Sequence, residues 1–150
     1  MKNDNKGVAI VEMAIVLPLL IIIVFGIIEF GFIIYDKAMI TNASREGARA
    51  GIVFRVDDTG PILPNDAAVQ SLIESRIQSY LSTYLISLGS AAPIPSFANG
   101  GITTSLVGGT PGGELTVTVN YDYSFLVLNP GFLKSAPTIN LSSTTVMRLE

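Results

Sequence analysis

Hydrophobic and polar positions follow three different patterns along this chain. From Val8 to Tyr35 there is no periodicity: VAIVEMAIVLPLLIIIVFGIIEFGFIIY is apolar on every face and holds two charged side chains, Glu12 and Glu29. A helix apolar all round belongs in a large core or in lipid. Its uncharged part, Met13 to Ile28, spans about 24 Å at ~1.5 Å per residue, against a hydrocarbon core of ~30 Å. The apolar residues on either side make up the difference, which predicts a membrane segment over 8–35. Further on, Val69, Leu72, Ile73, Ile77, Tyr80, Leu81, Tyr84, Leu85 and Leu88 recur every three to four positions. That spacing predicts an amphipathic helix from Ala67 to about Leu88, with Asn65 or Asp66 as its cap. Strict alternation comes last. In ELTVTVNYDYSF, Leu115, Val117, Val119, Tyr121, Tyr123 and Phe125 share one parity, which predicts the clearest strand in the chain. Shorter patterns predict strands at Ile102–Val107 and Thr138–Arg148.

Between these elements the punctuation is plain. The first helix is expected to run on from Asp36 to about Arg55, where RVDDTGPILPND breaks it into a loop with Gly60, Pro61 and Pro64. GSAAPIPSFANGG reads as a linker, GGTPGG as a turn, and NPGFLKSAP as the connection to the last strand. The whole is an α+β protein: a long N-terminal helix, transmembrane in its first half, then a small head in which one helix packs on a short antiparallel sheet. The sheet is expected to lie on the second helix and on the base of the first.

Composition narrows the function. Of 150 residues, 49% are hydrophobic and 14% charged, with a mean hydropathy of +0.53, too apolar for an ordinary soluble domain. A net charge of −3 without a basic patch argues against nucleic acid as a partner. There is no cysteine and no histidine, hence no thiolate, no imidazole base and no common metal ligand set. GGTPGG lacks the lysine and following helix of a phosphate loop, and Asp57 and Asp58 lack the spacing of a calcium loop. The expectation is a protein that is no enzyme, with no cofactor, no metal and no small-molecule substrate. The apolar run is twice the length of a cleavable signal core and lacks a small-residue cleavage site after it. Lys2 and Lys6 precede it, which places the N-terminus in the cytoplasm and the head outside.

Glu12 is the oddity, a carboxylate near the start of a lipid-facing helix, where ionised groups are costly. It either lies at the headgroups or finds a cation. Were the chain cut after Gly7, the α-amine of Val8 would be such a cation. In a stack of staggered helices it would meet the Glu12 of a neighbour, a buried pair that fixes register. Gly7 followed by Val8, Ala9, Ile10, Val11 and Glu12 resembles the processing motif of type IV prepilins. GVAIVEMAIVLPLL, GIIEFG and NASREGARAG, in that order, resemble the TadE-like minor pilins of Tad (Flp-type) pilus systems, with Met13 in place of a more usual phenylalanine.

The resemblance implies a prepilin leader at 1–7, a transmembrane and assembly helix at 8–35, its extramembrane continuation at 36–56 and a head at 57–150. It implies trimming between Gly7 and Val8 by a prepilin peptidase, and partnership with other pilin subunits and the inner-membrane assembly platform. It also implies residence in the lipid of the cytoplasmic membrane before assembly. Residues expected at subunit contacts are Glu12, Pro18, Glu29, Arg45, Glu46, Gly47, Arg49 and Gly51. Each has a plainer reading. Pro18 is a tolerated kink or a soft spot where the helix melts. Glu29 marks the membrane boundary or touches a partner helix. Arg45, Glu46 and Arg49 form a solvated face or a subunit-contact box. Ala43, Gly47 and Gly51 make a smooth face for another backbone. A permanently anchored scaffold or ligand-binding protein is the alternative to a pilin.

Overall fold

The structure is a computed structural model that describes residues 5–53, 55–57, 60–62, 64, 66–86, 94–108, 112–125 and 138–149. Residues 1–4 of the expected leader, the helix end expected at Leu88 and the NPGFLKSAP connection lie outside the described residues.

A single helix, α1 (Asn5–Gly51), takes up 47 residues and stays helical through Pro18. At ~1.5 Å per residue it is about 70 Å long. It ends at Gly51 rather than near Arg55, its last turn closed by Ile52 N–H donating to Ala48 O at 3.0 Å. The reason is local: a poor helix former is followed by Ile52, Val53 and Phe54, which favour extended backbone. The segment expected as a loop then forms a small antiparallel ladder of β1 (Arg55–Asp57) and β2 (Gly60–Ile62), with Asp57 opposite Gly60.

Helix α2 (Ala67–Tyr84) starts at Asp66, whose backbone carbonyl, rather than its side chain, accepts from Gln70 N–H at 2.9 Å. Its apolar stripe buries Val69, Ile73, Ile77 and Leu81. It stops four residues short of the expected end because Leu85 turns extended, its N–H still bonded to Leu81 O at 2.8 Å. Strands β3 (Ile102–Val107), β4 (Glu114–Ser124) and β5 (Thr138–Arg148) form an antiparallel sheet in the order β3-β4-β5. Alternation along β4 puts Leu115, Val117, Val119, Tyr121 and Tyr123 on the buried face, with Tyr121 opposite Leu141. The architecture is the expected α+β arrangement.

The second half of α1 is the post around which the head is built, since α2, β4 and β5 all pack on it. Both α2 and β4 run antiparallel to it. Gly51 lies beside Ile73 and Leu115, Gly47 beside Ile77, Asp36 beside Ile86, and Glu29 beside Tyr123. Ile40, Ala43 and Ala48 of α1 share one core with Ile73, Ile77, Leu81, Leu115, Val117 and Val119. Each large aliphatic side chain fully buried there contributes ~1.5–3 kcal/mol. So the base of the first helix, expected as a secondary support for the sheet, carries most of it.

Candidate functional site along the long helix

α1 has a bare half and a covered half. Every described side chain from Gly7 to Phe25 is exposed, and the first buried one is Glu29. The most apolar 18-residue window has a mean hydropathy of 3.0 with none of it buried, so α1 is long and apolar enough to cross a membrane. Gly7, Val8 and Glu12 lie exposed in this bare half, and a Cβ added at Gly7 would meet nothing within 4 Å. Pro18 is exposed as well.

The covered half is fixed to the head by polar contacts as well as by packing. Glu29, 1% exposed, accepts a hydrogen bond from Tyr123 Oη at 2.7 Å. The carboxylate expected at the membrane boundary or against a partner helix therefore contacts this chain's own sheet. Two helical turns later Asp36 faces the same side, fully buried. Its Oδ1 accepts from Ile86 N–H at 3.1 Å, while Oδ2 has no hydrogen-bond partner among the described residues. Burial raises the Asp36 pKa above 3.8, and the Ile86 hydrogen bond opposes this in part. Tyr123 is held well above the ordinary tyrosine range, first by burial and then by its hydrogen bond to Glu29 and the Glu29 charge. Tyr121 is raised by burial and by the Asp36 charge. These phenols stay protonated, so Tyr123 serves as a donor that shelters a carboxylate. On the β5 side, Lys37 Nζ donates to Ser142 O, and Ser44 Oγ lies 2.7 Å from Thr145 Oγ1 and 3.2 Å from Ser143 Oγ.

The smooth face of small residues is occupied from within. A Cβ at Gly47 would lie 2.6 Å from Ile77 Cδ1, and one at Gly51 would lie 2.6 Å from Leu115 Cδ2 and 2.8 Å from Ile73 Cδ1. Gly47 thus admits the chain's own α2, and Gly51 admits both α2 and β4. Arg45 and Arg49 point away from the core and are exposed, with Glu46 half-buried. No ion pair joins the three to one another among the described residues. Glu46 lines a shallow groove of about 350 Å³ with Arg76, Tyr80 and Tyr84 of α2.

Sequence reasoning missed Asp36, Tyr121 and Tyr123. The available signal was spacing: Asp36 is seven residues after Glu29, hence on the same helix face, and both tyrosines sit on the strand parity that becomes buried. Among the described residues no group of three or more acidic side chains is placed to hold a metal ion. A polar cleft of about 310 Å³ opens beside Asn99, Asn120, Asp122 and Asn140 on the sheet's outer side, where the Asp122 carboxylate accepts from Asn140 Nδ2 at 2.8 Å.

The landmarks of α1 can now be set against known proteins. Residues 7–49 match the family of TadE-like proteins. The TadE-like segment thus begins at the first glycine of α1, ends two residues before the helix does, and takes in both its bare and its covered half. α2 and the sheet lie beyond it. The match associates the chain with Tad pilus systems, and α1 is long and apolar enough to cross a membrane, as a pilus-associated membrane protein would require. No curated protein and no solved structure matches the chain significantly.

Proposed function

We propose that this chain is a minor pilin-like subunit of a Tad-type pilus. It is made as a single-pass prepilin with its N-terminus in the cytoplasm, trimmed after Gly7 by a prepilin peptidase, and packed into or beneath the pilus through the bare half of α1. The observation that supports this best is the coincidence of the TadE-like segment with one unbroken helix, bare through its first half and built into a head through its second. A helix apolar on all sides is stable in lipid, and equally so among copies of itself. Removal of the leader would leave the Val8 amine as a cation on the turn before Glu12. In a staggered neighbour that pair would offset the cost of two charges that are each unfavourable alone. The head, whose described core joins α1, α2 and the sheet, would face outward and present its own surface.

The test is the intact mass and N-terminal sequence of the protein recovered from membranes of its host. A chain beginning at Val8 is the expected result, and Gly7→Val should abolish that trimming with insertion unchanged. Recovery of a chain that still carries Lys2 to Gly7 would overturn the pilin reading in favour of a permanently anchored scaffold.

A further inference from the structure

The charges on α1 are distributed unevenly around its circumference. Beyond Glu12, both carboxylates on the way up, Glu29 and Asp36, are buried against the head. Lys37 is the first exposed charge after Glu12. The face of α1 turned away from the head is therefore apolar through Ile27, Phe30, Gly31, Ile34 and Tyr35, with Phe30 63% and Ile34 58% exposed. Measured along that face, the apolar surface from Met13 to Tyr35 is about 34 Å, enough for a ~30 Å hydrocarbon core. The same surface cut at Ile28 is about 24 Å and too short on its own.

The sheet begins below the top of that surface. The Tyr123–Glu29 hydrogen bond brings the lower end of β4 level with Glu29, roughly 9 Å down the helix from Tyr35. The last β4–β5 pair, Ser124 with Thr138, marks this end. Its described residues carry no charge beyond Asp122, which accepts from Asn140 Nδ2 at 2.8 Å. Apolar groups gather there instead: Phe125, half-buried and edge-on to Tyr123, and Ile139, 41% exposed. One side of α1 at this level needs lipid, and the other side carries a partly apolar sheet end whose one charge among the described residues is Asp122.

We propose that the β4–β5 end of the sheet docks in the headgroup layer of the leaflet on the head's side, with Phe125 and Ile139 against lipid. This rests on the membrane-anchored reading of α1 and adds a second point of contact, which holds the head upright on the bilayer. The level of this end, about 9 Å below the top of the apolar surface of α1, selects lipid as the occupant.

The chain has no tryptophan, so a single introduced indole reports alone. Full-length Ile139→Trp, Ile22→Trp and Val107→Trp are reconstituted in phosphatidylcholine vesicles whose acyl chains carry bromine at mid-chain, to read Ile22→Trp, or near the headgroups, to read Ile139→Trp and Val107→Trp. Val107 lies at the opposite end of the sheet, paired with Glu114. Emission from Ile22→Trp and Ile139→Trp should be quenched and that from Val107→Trp unchanged. The Ile139→Trp signal should be roughly halved, since interfacial apolar groups lie ~5–10 Å into the headgroup boundary. If Ile22→Trp is quenched and Ile139→Trp behaves like Val107→Trp, the docking is wrong and the anchor stands. If Ile22→Trp is not quenched, the anchor fails and the docking with it. A blue-shifted but unquenched Ile139→Trp would mean that protein, such as a second copy, covers this end, which also overturns the proposal. Phe125→Trp keeps an aromatic ring at the sheet end and repeats the measurement should Ile139→Trp fail to fold.

Discussion

The two halves of α1 use the same backbone for opposite purposes. From 8 to 28 the residues are, apart from Glu12, apolar on every side, and none of them is buried. From 29 to 51 small residues, hydroxyls and sheltered carboxylates face the core, and almost all of that face is covered. Glycine shows the difference in miniature. At Gly26 an added Cβ would meet nothing within 4 Å, whereas at Gly47 it would collide with Ile77 at 2.6 Å. Acidic residues behave alike: Glu12 is exposed, Glu29 and Asp36 are buried. The pattern of one half asks only for hydrophobicity, as a lipid would, and that of the other for shape and paired polar atoms, as close-packed neighbours do.

The comparison breaks most visibly at the glycines. Gly47→Leu should cost the head about 3 kcal/mol, because overpacking outweighs the ~1 kcal/mol gained in helix propensity. Gly26→Leu should change head stability by less than about 0.5 kcal/mol. Thermal unfolding of the two variants in detergent, followed by limited proteolysis, separates them. Equal losses would mean that the packing of α2 on α1 is not what positions Gly47.

The carboxylates come next. Glu29→Ala leaves the buried Tyr123 hydroxyl without its acceptor and should destabilise the docking of the sheet by about 1–2 kcal/mol. Tyr123→Phe in the same chain should recover part of that loss, as a double-mutant cycle would measure. Glu12→Ala should leave the head untouched and membrane insertion intact or improved, while lowering incorporation into assemblies. Wild-type assembly of that variant would remove the amine–carboxylate pairing from the account.

Asp36 sharpens the contrast through pH. Its folded pKa is raised by burial, so the folded head binds the proton more tightly than the unfolded chain does. Its contribution is fully present below the ordinary value of 3.8 and is lost as pH rises through the raised folded value. Asp36→Asn keeps the acceptor for Ile86 N–H and removes the charge. It should therefore flatten this part of the stability–pH curve and add up to about 1 kcal/mol at neutral pH. A variant whose curve retains the wild-type slope would shift the cause to another group. The smallest effects belong to Arg45 and Arg49, where alanine should change head stability by less than about 0.5 kcal/mol. A loss of assembly in those variants without a loss of stability would assign the arginines to contacts between subunits.

Much of this division was legible before any coordinates. The span announced itself because lipid imposes length and hydrophobicity, which are properties of composition over ~20 residues. The β4 strand was equally plain, since one buried face writes alternation into the sequence. The ends of the helices were harder. Gly51 and Tyr84 stop α1 and α2 earlier than their patterns run, because a terminus is decided by which neighbouring backbone conformation packs and bonds best.

The sequence by itself determined that this chain has a long apolar helix with the landmarks of a TadE-like segment, followed by an α+β head, because period, length and hydrophobicity are local quantities. Only the tertiary structure decided what the polar and small residues of that helix are for. Gly47 and Gly51 seat α2 and β4, and Glu29 binds Tyr123, 94 residues away. The reason is physical: a small or acidic side chain on a helix face states what it can accept, but the partner that fills the space is set by how distant elements fold against it.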